Sequence, residues 1–342
     1  MAYITFQPKD HMNTVAWTGT ASSPTNVTGY GFNPDMIWNK YRAGAGDHQL
    51  YDAVRTATKM IIPNSTAAES TNANGVTAFI TDGFTAGSDI NVNNGNSVAW
   101  GWKANGAGSA NTDGSINTTA TSVNTTAGIS ICKWTGSGAN ATIGHGLGVA
   151  PKMIMVKNTS ATNDWNVYHY GIGNAERLFL NTTQASEDNA SAWNDTSPTS
   201  SVFSVGTNTN VNQSGSTMIA YCFAEKKGFS KFSSYKGNGN ANGTFIYTGF
   251  KPAFILCKVT SGATNDWTLL DSARDTYNVA GKRLYPNTNG AESETARADF
   301  LSNGFKLRGT GTDMNGSGNT YIYMAFAEHP LVSSNNVPAT AR

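Results

Sequence analysis

One ordered set of residues occurs three times along the chain, and this recurrence constrains the fold more than any other feature. Each set contains a proline-led apolar run: Gly31-Phe32-Asn33-Pro34-Asp35-Met36-Ile37-Trp38-Asn39-Lys40, then Ala150-Pro151-Lys152-Met153-Ile154-Met155-Val156-Lys157, then Lys251-Pro252-Ala253-Phe254-Ile255-Leu256-Cys257-Lys258, with a lysine six places after the proline each time. Proline suits the first residue of a strand, where no ladder donor is needed. The run that follows is too short for a helix and reads as a strand buried on both faces. Upstream lie Trp17-Thr18-Gly19, Trp134-Thr135-Gly136 and Tyr235-Lys236-Gly237. Downstream, Asp47-His48, Asp164-Trp165 and Asp266-Trp267 are followed by Asn64, Asn181 and Asn287, and then by Asn91-Val92-Asn93, Asn210-Val211-Asn212 and Asp313-Met314-Asn315. Each set closes on an apolar run: Val98-Ala99-Trp100-Gly101-Trp102, Ile219-Ala220-Tyr221-Cys222-Phe223, and Ile322-Tyr323-Met324-Ala325-Phe326.

About seven short strands per set, joined by turn residues, predict an all-β protein of three tandem β-sandwich repeats of roughly 100 residues each. Met36, Ile37, Ile154, Val156, Phe254 and Leu256 are the expected core. The closing strands alternate: Tyr321, Tyr323 and Ala325 share one face, and Ile322, Met324 and Phe326 the other. One face should pack within its own unit and the other against a neighbour. The boundaries are an N-terminal arm over 1–12, repeats over 13–104, 128–227 and 228–330, a polar linker or tie strand over 105–127, and a C-terminal tail over 331–342. Apolar two-faced strands and sparse charge also predict a homo-oligomer.

Composition excludes several classes of function. Charged residues make up only 13% of the chain and the net charge is +1, so no basic field for nucleic acid is expected. No run approaches the roughly 20 apolar residues of a spanning helix. The N-terminal residues lack the basic-then-apolar order of a signal peptide. Cys132, Cys222 and Cys257 lie in apolar runs at spacings that fit neither a disulfide framework nor zinc, and read as buried free thiols.

No catalytic, metal-binding or cofactor constellation stands out. His11, His48, His145, His169 and His329 form no set with ligand spacing; His48 and His169 roughly correspond in position. Gly144-His145-Gly146-Leu147-Gly148 leads into a strand rather than a helix, so a tight turn is expected rather than a phosphate loop. Asp47…Asp52…Arg55 and Asp266…Asp271…Arg274 share the pattern Asp-x-x-Leu-x-Asp-x-x-Arg, absent from the middle set, and are expected to tie loops by charge-assisted bonds. The Asn-Val-Asn loops are read as Asx turns rather than calcium sites.

The aromatics carry the candidate ligand or interface site. Trp165 and Trp267 are equivalent and are read first as core residues. Trp193 lies in the polar segment Asp188-Asn189-Ala190-Ser191-Ala192-Trp193-Asn194-Asp195, unique to the middle set. There its ring is expected to be accessible for stacking on a sugar, with Asn189, Asn194 and Asp195 bonding hydroxyls.

The chain also resembles a family of marine bacteriophage virion proteins, cyanophage proteins among them. The resemblance rests on Phe6-Gln7-Pro8-Lys9-Asp10, Phe32-Asn33-Pro34-Asp35, Val98-Ala99-Trp100-Gly101-Trp102-Lys103, the stretch from Ala220-Tyr221-Cys222-Phe223 to Lys231-Phe232, and Tyr321-Ile322-Tyr323-Met324-Ala325-Phe326-Ala327-Glu328. It covers nearly the whole length and implies concanavalin-like lectin sandwiches. It further implies a virion structural or tail-fibre protein made in the host cytoplasm, with other virion proteins and a cell-surface glycan as partners and, by analogy with fibres, a trimer as the homo-oligomer. Capsid decoration is the alternative role. The family supplies no binding residues to transfer.

Overall fold

The computed structural model describes residues 6–21 and 24–327, together with two short paired strands, Leu331–Val332 and Pro338–Ala339. The rest of the expected C-terminal tail, His329 and the first five residues lie outside the described part. The chain is all-β; among the described residues, helix is confined to single turns such as Pro8–Asp10, Ala190–Trp193 and Thr209–Asn212.

Three larger sheets are built in turn from the first (12–102), middle (120–223) and last (230–327) thirds of the chain. In the first third, Met12–Thr20, Asn94–Trp102, Met36–Tyr41 and Gln49–Asp52 lie side by side in that order, all antiparallel. The middle third places Ile129–Thr135, Thr217–Phe223, Met153–Asn158 and Asn166–His169 in the same sequence of neighbours. The last third does so with Ser230–Lys236, Thr320–Ala327, Pro252–Ser261 and Thr268–Asp271. The closing strand of each set is therefore central, which explains its unbroken apolar run: both of its faces are covered. The polar segment 105–127 contributes Ala120–Asn124, which joins the edge of the middle sheet as an extra strand.

Each third also forms a smaller sheet that shares a core with its larger one. In the first, Val27, Phe84 and Val76 of the small sheet meet Ile37, Tyr51 and Ala99 of the large one. Ile143, Phe203 and Val205 meet Ile154, Val156 and Ala220 in the middle third. Ile246, Phe305 and Leu307 meet Ile255, Tyr323 and Ala325 in the last. The six residues expected in the core are all buried.

The other faces of the three larger sheets meet in one shared core. Trp100 and Trp102 come from the first third, Ile219, Tyr221 and Phe223 from the middle, and Ile322, Met324 and Phe326 from the last. Trp102, Phe223 and Phe326 hold the same place in their closing strands and form a nearly equilateral triangle, with ring centroids 6.2, 6.2 and 5.9 Å apart and edges turned toward faces. Such edge-to-face contacts suit the ring quadrupoles. Phe6 stacks on His11 and meets Phe229 edge-on beside this triangle, so the described part of the N-terminal arm is docked there. The second faces of the closing strands, which were expected to pack against a neighbour, are thus covered by the other thirds of the same chain.

Glycine is required where the upstream strands turn. A Cβ on Gly19 would lie 2.3 Å from the backbone of Asn93, and one on Gly136 would lie 2.2 Å from that of Gln213. The asparagine loops press on these turns. Asn212 Nδ2 donates to the Ala139 and Gly206 carbonyls, and Asn315 Nδ2 donates to those of Asn240 and Gly309. These side chains work as backbone ties, as the Asx reading expects.

Candidate functional site: the seams between the thirds

The three larger sheets meet along three seams, and one set of contacts recurs at each with the same sense. The lysine six places after the proline is buried in every third. Lys40 Nζ donates to the Tyr41 and Asn289 carbonyls, at 2.6 and 3.4 Å. Lys157 donates to Thr66, at 2.8 Å, and to Asn163. Lys258 donates to Thr183, at 2.8 Å, and to Asn265. Each lysine therefore reaches from its own third into the preceding one, and Lys40 of the first reaches the last. Burial pushes all three ammonium groups down to about 8, although Asp47, Asp164 and Asp266 pull the other way.

A ring N–H repeats the same reach. Trp165 Nε1 donates to the Ile62 carbonyl (2.9 Å), Trp267 Nε1 to that of Phe179 (2.8 Å), and His48 Nε2 lies 3.1 Å from that of Tyr285. Asn64, Asn181 and Asn287 hold these rings by accepting the backbone N–H of His48, Trp165 and Trp267, while donating to Asp47, Asp164 and Asp266. The correspondence expected between His48 and His169 is thereby corrected. His48 takes the place of the two tryptophans, because imidazole also offers a ring N–H. His169 takes the place of Asp52 and Asp271, opposite the closing strand of the next third, where its Nε2 lies 3.1 Å from the Tyr323 carbonyl.

The aspartate–arginine pairs complete two of the seams. Arg55 Nε is 2.6 Å from Asp52 Oδ2, which also accepts the Tyr221 hydroxyl of the middle third at 2.5 Å. Arg274 Nε is 2.6 Å from Asp271 Oδ2, which accepts the Trp100 indole N–H of the first third at 3.0 Å. Glu292 joins Arg274 to Arg42 of the first third, both at 2.8 Å. Burial pushes the Glu292 carboxyl up, but Arg42 and Arg274 outweigh it and hold it below its usual range. These charges are saturated by one another, which suits clamps rather than acid–base catalysts.

The Trp193 reading is corrected. Its side chain is only 1% exposed and lies in the core of the middle third, edge-on to Tyr168 at 5.9 Å. The helical turn Ala190–Trp193 rolls the ring inward, with Asn194 in the left-handed region ending the turn. Asn194 and Asp195 stay exposed, but Asn194 accepts a hydrogen bond from Asn140, and the Asp195 carbonyl accepts one from Asn174. Asn189 accepts from Ser191. No open ring face stands among them. Trp165 and Trp267 are buried as core residues that also bridge thirds. Cys132, Cys222 and Cys257 are free and buried.

Among the described residues no group of three or more His, Cys, Asp or Glu could hold a metal ion. His48, His145 and His169 have both nitrogens engaged. Nδ1 accepts from Trp38, Leu147 and Gly171 respectively, and Nε2 faces a carbonyl. That pattern requires the neutral Nε2–H tautomer. Burial holds the His169 imidazole down at about 4, against a smaller upward pull from the Tyr323 carbonyl, and holds that of His48 well below its ordinary value. The unfolded chain therefore binds more protons between about pH 6.5 and 4. Stability is expected to hold near neutrality and to fall as pH drops through that window. Urea titrations across it should show a slope shallower by about 1.4 kcal/mol per pH unit in His169→Gln. An unchanged slope would remove His169 from the account.

Such an architecture is that of an all-β, multi-sheet protein, and in the described residues no helix is long and apolar enough to cross a membrane. The family described as a domain of unknown function, DUF7483, matches residues 7–330. The chain belongs to that family. Neither a curated protein nor a solved structure matches it.

Proposed function

We propose that the chain consists of three copies of one two-sheet sandwich closed head to tail about an approximate three-fold axis. On this reading it serves as a bacteriophage virion protein, a tail-fibre or surface-appendage component with a host-glycan role, and not as an enzyme. The observation that carries the proposal is the seam set: lysine and ring N–H reach across all three junctions in the same direction. A chain that spends its apolar faces and buried charges on internal closure is suited to bearing load and presenting loops. Those loops are rich in Asn, Thr, Ser and Gly, the side chains of turns and of polar surfaces.

Capsid decoration is the second reading. It is favoured by the burial of Trp165, Trp193 and Trp267, which leaves no stacking ring at the places where a sugar was expected. Immunogold labelling of purified particles tests both. Label at the tail or its appendages supports the first reading, and label over the shell supports the second. Particles that carry none of the protein overturn both.

A further inference from the structure

The three seams are alike in framework but not in charge, and the seam between the first and middle thirds holds an open cleft. Between the first and middle thirds lies a cavity of about 240 Å³ lined by Arg55, Lys59 and Glu69 on one side and by Lys133, Thr159 and Thr217 on the other. At the seam between the last and first thirds, Arg42 occupies the place that Thr159 holds here, two residues beyond the buried lysine, and its guanidinium closes on Glu292. Threonine is too short to do so. Lys133 pairs with Ile219 in register; its counterparts, beside Val98 and Ile322, are Ala16 and Ser234. At the seam between the middle and last thirds, Ile172 and Ser186 stand in place of Arg55 and Glu69. Among the described residues, the charges that line this cleft are therefore not repeated at the equivalent places of the other two seams.

Its charges do not cancel. Arg55 is shared between Asp52 and Glu69, at 2.6 and 3.1 Å. Lys59 donates to the Thr71 hydroxyl and stands 4.0 Å from Glu69. Lys133 Nζ has no partner among the described residues. Three cations face two carboxylates, one of which, Asp52, lies behind Arg55. The Ser160 hydroxyl, also on the rim, accepts the Thr217 amide N–H and keeps its proton free to donate. A pocket with surplus positive charge and a hydroxyl donor matches a compact, multiply accepting anion.

We propose that this cleft binds a tetrahedral oxyanion, a sulfate or phosphate group, held between Lys59 and Lys133. The site goes beyond the virion reading and does not depend on it. Its test is calorimetry and thermal unfolding of the full chain with sodium sulfate or sodium phosphate, against sodium chloride at equal ionic strength. Saturable binding is expected. It should weaken roughly tenfold in Lys133→Ala and in Lys59→Ala, as for loss of one charge-assisted bond, and should be unchanged in Lys227→Ala, an exposed lysine elsewhere. Should a variant fail to fold, the wild-type chain still decides. Sulfate should protect Lys59 and Lys133, but not Lys227, from acylation read by peptide mass spectrometry. Retention on sulfated but not plain dextran, lost in Lys133→Ala, identifies a polymer-borne group as the source, and binding of the free ion alone identifies a small anion. A wild-type response that follows ionic strength alone, or a Lys133→Ala protein that binds like the wild type, overturns the proposal.

Discussion

Trp102→Ala is expected to lower the unfolding free energy by about 3–5 kcal/mol, the range for truncating a large buried aromatic. Trp102 is 1% exposed and meets Phe223, Phe254 and Phe326 at centroid distances of 6.2, 5.7 and 5.9 Å, so one truncation opens a void facing all three thirds. Too many rings converge there for collapse to refill it. Trp102→Phe should cost much less. The indole N–H of Trp102 has no acceptor, so phenylalanine removes an unsatisfied donor while losing part of the volume. Urea unfolding of both variants checks this. A Trp102→Ala loss below about 1 kcal/mol would contradict a shared central core.

Arg274→Ala should be comparably damaging, at about 3–5 kcal/mol, for an electrostatic reason: it leaves Asp271 charged, buried and facing only N–H donors. The backbone N–H of residue 274 and the Trp100 indole still reach the carboxylate, but the compensating cation is gone. Glu292 would keep Arg42 as its one guanidinium. Replacing both partners, as Asp271→Leu with Arg274→Met, should recover most of the loss, because a buried pair contributes little net stability while a broken one is costly. A double mutant no more stable than Arg274→Ala would show that the pair does more than neutralise itself.

These outcomes rest on features that the sequence discloses unevenly. Strand positions were legible because proline, turn residues and apolar runs recur in order. The arginine–aspartate ties were legible because their partners are three residues apart. Trp193 was misread because its neighbours are polar; a four-residue helical turn reverses the direction of a side chain without leaving a periodic trace. His48 escaped grouping with Trp165 and Trp267 because the shared property is a ring N–H rather than a residue type. The anion cleft could not be seen at all. Its lysines are residues 59 and 133, and only the abutting of two thirds brings them together.

The reach of Lys40 to the carbonyl of Asn289, 249 residues further along, has a consequence for synthesis. During translation the first third emerges with Trp100 and Trp102 facing a neighbour that does not yet exist. Pairing with the middle third covers only one flank. Until Phe254, Asp271 and Phe326 have left the ribosome, an aromatic sheet surface remains open on the nascent chain, a state prone to aggregation. Contacts of such long sequence separation also make the final docking step slow. A product terminated before residue 250 would carry that open surface permanently, and holding it soluble would fall to chaperones.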